Sequence, residues 1–418
     1  MLGVQVWRSA LGVDRTTVIE SIDFDEDAGS VVAHVRPRRS KKRRCGVCGK
    51  RAPGYDQGEG RRNWRALDVG VLLCHLQADA PRVNCAEHGP TVAQVPWARH
   101  GAGHTRDFDD QVAWLVTHTA KSTVSELMRV AWRTVGSIIT RVVADARAAH
   151  DPFDGLRRIG IDEISYRRGH KYLTVVVDHD TGRLVWAEVG RDKVTLEKFF
   201  DLLGEERSAL VKLVSADAAE WIATVVAERC PNATLCADAF HMVAWATKAL
   251  DEVRKEIWRI ARTMGAPTLV ARIKGCRYAL LKNPENLTGR QQAGLARVAQ
   301  VNKTLYRAYL LKEQFRLVFQ LRGTEAIRAL DNWSSWARRC RIPAFVELHY
   351  RIQRHRESIV ATLINDGLSN ALVESTNTKL RLLTRVAYGF KSTDNLIALC
   401  LLDRGGYCPP LPGRQVAA

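Results

Sequence analysis

The sequence predicts an α+β protein of several domains, built around a mixed sheet with helices on both faces. Three observations carry this. Between Arg157 and His241 the apolar pattern runs β-β-β-α-β-α-β-α, and a three-strand meander extended through αβ units makes such a sheet. Ahead of it stand two soft-ligand pairs, Cys45-x-x-Cys48 and Cys85-x-x-His88. Behind it, residues 242–365 lose strand signals and read as helices rich in Lys, Arg and Trp. At 418 residues the chain exceeds one ordinary core.

Composition narrows the setting. Hydrophobic residues at 46% argue against general disorder. A net charge of +18 favours a polyanionic partner, nucleic acid or an anionic membrane surface. No run approaches the ~20 apolar residues of a spanning helix, and MLGVQVWRSALGVDR lacks the layout of a signal peptide. Nucleic acid is therefore the expected partner. Of ten cysteines, Cys74, Cys230, Cys236, Cys276, Cys340 and Cys400 sit singly in apolar settings, as buried thiols do in a reducing cytoplasm.

The elements follow in order. Residues 1–35 read as a β-rich lead-in (TTVIESIDFDEDAGSVVAHV), and RPRRSKKRR, residues 36–44, holds seven Lys or Arg in nine positions. Placed before a metal motif, Arg38, Arg39, Lys41, Lys42, Arg43 and Arg44 read as a phosphate-contacting arm. The interval between the two ligand pairs, 49–84, suits a zinc ribbon with a β-hairpin between its knuckles. Cys45, Cys48, Cys85 and His88 are the candidate ligands of a structural Zn²⁺, with Cys74 and His75 as alternatives to His88. Residues 106–149 form three helices: Phe108, Val112, Leu115 and Val116 share one face, and Val135, Ile138, Ile139 and Val142 another. Thr123 and Glu126 have capping-box spacing. Ser122–Val143 has the rhythm of a helix-turn-helix presenting Arg133, Thr134, Ser137 and Arg141 to the major groove, although Met128–Trp132 lacks a turn glycine. The alternative is a three-helix connector without base contacts.

The sheet pattern is the strand order of the ribonuclease-H fold. Asp162 ends the apolar run Ile159–Ile161, and Asp217 ends Leu213–Ala216. In SNALVESTNTKLRLL, Leu372, Val373, Leu380 and Leu383 form a core face, while Glu374, Asn377, Thr378 and Arg381 share another. Three carboxylates from two strands and a helix can hold two Mg²⁺ (or Mn²⁺) ions for phosphoryl transfer, and Arg381 can hold a phosphate. In the expected strand order 3-2-1-4-5 the fourth strand neighbours the first. That assigns Asp217 to the metal and leaves Asp238 with His241, beside Asn377, in support.

At these residues the chain resembles the IS-L-three family of insertion-sequence transposases: IGIDE, LVSADAAEW, DAFH at 238–241, VESTNTKLRLLTRVAYGF at 373–390 and RGHKYLTVVVDHDTGRLVW. The likeness runs from Cys45 to about Leu402. It implies an Asp-Asp-Glu transposase with Asp162, Asp217 and Glu374 as metal ligands and an all-helical insertion before the Glu. Asp238-x-x-His241 resembles a motif that related families place near the active site; a capping Asp with a packed His is the other possibility. The implied partners are double-stranded DNA, as terminal inverted repeats and target, and a homodimer or larger assembly in a bacterial cytoplasm, on the nucleoid when bound, with no membrane. The expected organisation is a zinc-ribbon domain (1–104), a helix-turn-helix domain (105–150), a catalytic domain in two parts (157–241 and 366–405) around a helical insertion (242–365), and a tail (406–418). The alternatives are a zinc-ribbon DNA-binding regulator with an inactive catalytic fold, or a structure-specific nuclease.

Overall fold

The computed structural model describes residues 2–414 apart from 168, 366–367, 369 and 387–391. The end of the 373–390 motif, Arg168 of the 168–186 motif, Ser369 and the last four residues of the tail lie outside the described residues. The chain divides into two compact units, residues 1–152 with 382–418, and residues 153–381.

In the first unit, β1 (Thr17–Asp25), β2 (Ser30–Pro37), β4 (Arg61–Val69) and β5 (Leu72–Asp79) form a sheet in the order β1-β2-β5-β4. In β2, Val31, Ala33 and Val35 are buried in alternation, the period of a sheet with one face on a core. Trp64 and Trp97 meet edge to face in that core, centroids 5.5 Å apart. A second sheet, β3 (Gly54–Asp56), β6 (Arg82–Cys85) and β7 (Gly89–Val92), is the ribbon. The long interval between the ligand pairs thus has a cause: it sends the β4–β5 hairpin into the other sheet. The lead-in is not wholly β, since Leu2–Ala10 is a helix. Its Val-Gln-Val alternation imitates a strand, yet Val4 and Val6 are exposed.

Helices Arg106–His118, Lys121–Leu127 and Trp132–Ala149 follow. Both apolar faces are inward: Phe108, Val112 and Val116, then Val135, Ile138, Ile139 and Val142, are all buried. The expected capping box is absent, because the second helix starts at Lys121 after Ala120 and carries Thr123 within it. The missing turn glycine is replaced by Arg129 itself, which adopts φ 52. Left-handed backbone costs a non-glycine residue about 1 kcal/mol or more, and ties from its guanidinium to Asp68 and to the Val71 carbonyl oppose that cost. Helix Thr393–Arg404 packs on Trp132–Ala149, with Thr140 Oγ1 donating to Asn395 Oδ1 at 3.1 Å. Residues 382–405 therefore group with the helix-turn-helix and not with the sheet as expected, because Leu396, Leu399 and Leu402 are buried there.

The second unit holds β8 (Arg158–Arg167), β9 (Lys171–Asp178), β10 (Leu184–Val189), β11 (Leu213–Ala216) and β12 (Thr234–Ala237), in the order β10-β9-β8-β11-β12. β8, β11 and β12 are parallel, and β9 and β10 antiparallel to their neighbours. β9 is buried from Leu173 to Asp178, as expected of a strand covered on both faces. Gly182 (φ 72) closes the β9–β10 turn. Helix Lys193–Leu203 sets Phe199 and Phe200 against Ile159, Val176 and Val214. From Ala239–Thr263 to Arg356–Ile364 the described elements are all helical, packed around Phe315, Trp333 and Phe345. The last of these returns to β12, where Thr362 Oγ1 donates to the Ala237 carbonyl at 2.7 Å.

Candidate active site and metal centre

The parallel register ends with Ala216 opposite Ile161, so Asp162 and Asp217 are the next residue on two neighbouring strands. Asp162 does not end its strand, as the apolar run implies. β8 continues to Arg167 and pairs there with β9. What ends is β11, so Asp162 has no ladder partner on that side, although it is buried.

Helix Ala371–Val386 carries Glu374. It lies along β8 because of two facing pairs. Gly160 and Asp162 share one strand face, and Val373 and Asn377 one helix face. Two strand residues span about 6.6 Å and four helical residues about 6 Å, so the pairs match. An added Cβ on Gly160 would lie 2.4 Å from Val373 Cγ2, and Asn377 Nδ2 donates to Asp162 Oδ2 at 2.6 Å. The buried helix face is Val373, Thr376, Asn377 and Leu380. The expected core residue Leu372 is exposed and Leu383 half-buried, because the face is set by β8 and turns toward Asn377. Thr378 and Arg381 are exposed.

Asn370 joins β8, β11 and the end of β12 to this helix. Its Nδ2 donates to the Ile161 carbonyl at 3.2 Å and its backbone N–H to Asp238 Oδ1 at 3.2 Å. Its Oδ1 accepts from Ser215 Oγ, which also meets His179 Nε2 at 2.6 Å. Asn370, Ser215 and His179 were missed in the sequence. A polar residue inside the apolar run LVSA was the available signal, since a buried hydroxyl needs a partner.

Asp238 is the N-cap of Ala239–Thr263, accepting from the backbone N–H groups of Phe240 and His241 at 3.4 Å each. His241 Nδ1 lies 2.7 Å from Asp238 Oδ2 and 2.6 Å from Asp217 Oδ1. The His241 Nδ1–H is shared between the two carboxylates. Contact with Asp217 and then Asp238 pushes the His241 pKa up to about 10, so the ring is an imidazolium at neutral pH. Burial, then the charge of Asp217, pushes Asp162 up to about 7. Burial raises Glu374 as well, with Asp238 and Asp217 adding to it and Arg381 opposing. The charge of Asp217 thus reaches both Asp162 and Glu374, although these three do not form a set with ligand atoms within 4.8 Å of one another. The tightest potential ligand set here is Asp217, Asp238 and His241, with one atom from each within 4.8 Å of the others. Two carboxylates that already draw one cation, the His241 imidazolium, offer the oxygen ligands that a hard divalent cation takes.

The second centre is the ribbon. One atom each of Cys45, Cys48, Cys85 and His88 falls within 4.8 Å of the others. Cys48 Sγ lies 3.7 Å from Cys85 Sγ, and His88 Nδ1 3.6 Å from Cys85 Sγ and 3.8 Å from Cys45 Sγ. Ligands about 2.3 Å from a tetrahedral zinc stand about 3.8 Å apart, so this donor set fits the ion. Cys74 and His75 lie on β5, and Cys74 is buried in the other sheet's core.

Among the basic residues, Arg38, Arg39, Lys41, Lys42 and Arg43 are exposed, while Arg44 is half-buried and donates to the Gly49 carbonyl at 3.0 Å. Arg133 and Ser137 are exposed on Trp132–Ala149. Arg141 is held elsewhere: Nε and Nη2 donate to the fully buried Asp109 at 3.0 and 2.9 Å. An unpaired Asp109 would be costly, so the structure gives Arg141 an internal role in place of a groove contact.

Family models match in the same arrangement. A transposase model covers residues 159–400, the helix-turn-helix domain of transposase family ISL3 covers 93–143, and the zinc-finger of transposase IS204/IS1001/IS1096/IS1165 covers 41–88. The chain is 58% identical to the transposase for insertion sequence element IS1557 of Mycobacterium tuberculosis, across 99% of this chain and 98% of that one. It is 24% identical to the transposase for insertion sequence element IS1001 of Bordetella parapertussis, across 90% and 92%. No helix among the described residues is long and apolar enough to cross a membrane. Domain by domain and over nearly its whole length, the chain belongs to the ISL3 family of insertion-sequence transposases.

Proposed function

We propose that the chain binds the ends of its insertion sequence and catalyses metal-dependent DNA cleavage and strand transfer on a ribonuclease-H-like core. Asp162, Asp217 and Glu374 would hold two divalent cations, Mg²⁺ or Mn²⁺. The observation that carries this is that Asp162 and Asp217 directly follow paired residues of two neighbouring strands, and that Asp162 and Glu374 both feel the charge of Asp217. When bound, two such ions activate the attacking water or 3′-OH and stabilise the leaving oxygen. Asn377 orients Asp162 through its amide, and Asn370 fixes the start of the Glu374 helix. His241 balances the charge of Asp217 and Asp238, and would keep Asp238 as its partner with Asp217 on a metal. Arg381 offers a cation to a DNA phosphate about two helical turns from Glu374.

Cys45, Cys48, Cys85 and His88 would bind one structural zinc. The exposed part of the 36–44 run, with Arg133 and Ser137, supplies contacts to double-stranded DNA at the terminal repeats. Holding two ends together requires a homodimer or larger assembly. The test is a pair of variants on labelled insertion-sequence ends. Asp217→Asn is expected to abolish cleavage and strand transfer while binding survives. Asp238→Asn, which keeps a capping oxygen but removes the charge beside His241, is expected to slow them about 10–100-fold. Full activity in Asp217→Asn overturns the assignment, and loss of DNA binding in both variants ascribes the effect to folding.

A further inference from the structure

The helical insertion contains a cavity that the carboxylate site does not use. It has a volume of about 540 Å³ between Pro267–Gly275, Arg277–Leu281 and Gly289–Val301. Its inner wall is apolar: Ile273, Ala279, Val298 and Leu305 are all buried. Its rim carries Arg272, Arg290 and Arg297, all exposed, and no carboxylate lines it. Among the described residues none of the three arginines is in an ion pair, whereas nearby Arg316 is paired with Glu285 and Glu313. The polar lining residues are otherwise engaged: Thr288 and Gln291 cap each other, and Asn302 caps Leu305 at 2.8 Å. Tyr278 is 63% exposed at the edge, with the Arg277 guanidinium 5.8 Å from its ring centroid.

Three unpaired cations around an apolar pocket call for a ligand with anionic and apolar parts. Phosphate alone leaves the wall unmatched. A duplex keeps its bases stacked inside, in grooves about 12 Å wide, and offers the pocket only phosphates. The volume lies in the range of pockets that hold one small organic molecule, about 300–1,000 Å³. A single unstacked nucleotide meets all of these conditions, with its base against the wall or the Tyr278 ring and flanking phosphates on the arginines.

We propose that this cavity receives an unpaired nucleotide of the DNA strand being processed, with Arg272, Arg290 and Arg297 on its phosphates and Tyr278 stacking on the base. This rests on the chain acting on DNA. The experiment measures full-chain binding to a blunt duplex and to the same duplex with a short single-stranded extension, across a salt series. Wild type is expected to prefer the extended form. Arg272→Ser/Arg290→Ser/Arg297→Ser is expected to bind the blunt duplex as before, lose the preference, and lower the log–log salt slope on the extended form by about 2, near 0.7 per single-strand phosphate. Tyr278→Ala should weaken the extended form alone by about five- to a hundredfold, and Tyr278→Phe should restore it. A wild type without preference, or a triple variant that keeps it, overturns the proposal. Equal weakening on both DNAs also overturns it, by showing a general basic surface. Failure of the wild type to bind either DNA refutes the DNA reading itself.

Discussion

Gly160→Ala tests whether the fit of the Glu374 helix on β8 sets catalytic geometry. The added methyl would meet Val373 Cγ2 at 2.4 Å and His179 Nε2 at 2.8 Å, against ordinary contact from about 3.4 Å. About 1 Å must be found. The helix cannot simply withdraw, since Asn370 ties its start to Ile161 and Asp238, and Asn377 ties its next turn to Asp162. Overpacking of this kind costs about 1–3 kcal/mol, or a Tm lower by a few degrees for a unit of this size. Catalysis should suffer more than stability, because a displacement of about 1 Å can cost on the order of 100-fold in rate. Single-turnover cleavage of an insertion-sequence end, read beside DNA affinity and Tm, separates the two. Cleavage should fall by 10- to 100-fold with affinity unchanged, and Gly160→Ala/Val373→Ala, which removes the closest atom, should recover part of it. Wild-type cleavage in Gly160→Ala would refute the reasoning, as would a loss that tracks DNA affinity.

Two further outcomes follow from the first unit. The ribbon's own core is little more than Cys45, Ala52, Val83 and Cys85, too few to fold without a metal. Cys48→Ser should therefore release about one zinc per chain and open residues 41–92 to protease while 157–364 stay protected; zinc-free wild type, or a variant that keeps its zinc, would contradict this. Lys121 is 3% exposed, its Nζ lacks a hydrogen-bond partner and lies 3.5 Å from the Trp132 ring centroid, and burial pushes its pKa down to about 8. Between pH 8 and about 10 the unfolded chain holds the proton that the folded one has lost, so wild-type stability rises with pH there and the cost of burial is complete below pH 8. Lys121→Met should then stabilise by about 1–3 kcal/mol at pH 7, net of the lost ring contact, with the gain shrinking by pH 10. Urea midpoints check this, and a gain independent of pH would rule it out.

Much of the site was legible in the sequence because the signals are local. Short apolar runs bounded by turn signals give five strands, and a carboxylate after an apolar run marks where a strand tip reaches a cleft, as at Asp217. Ligand pairs two residues apart mark the ribbon. What escaped depends on partners distant in sequence. Arg141 looks like a groove contact until Asp109, 32 residues earlier, is seen to hold it. Asp162 looks like a strand end until β9 is seen to pair beyond it. Asn370, Ser215 and His179 form one buried network from three separate segments, and no local pattern announces that they meet. Leu372 misleads for the same reason: helical spacing gives a face, but only β8 decides which side of it is buried.

The central claim is that Asp162 within β8, Asp217 at the end of β11 and Glu374 hold divalent cations on the scissile phosphate. The most direct measurement replaces a non-bridging oxygen of that phosphate with sulfur in an insertion-sequence end and compares cleavage in Mg²⁺ and Mn²⁺. Mg²⁺ prefers hard oxygen ligands and binds sulfur poorly. The account predicts slowed cleavage of the sulfur-substituted strand in Mg²⁺, recovery in Mn²⁺, and no recovery in Asp217→Asn. Cleavage that proceeds without any divalent metal, or sulfur inhibition of the same size in both ions, would contradict it.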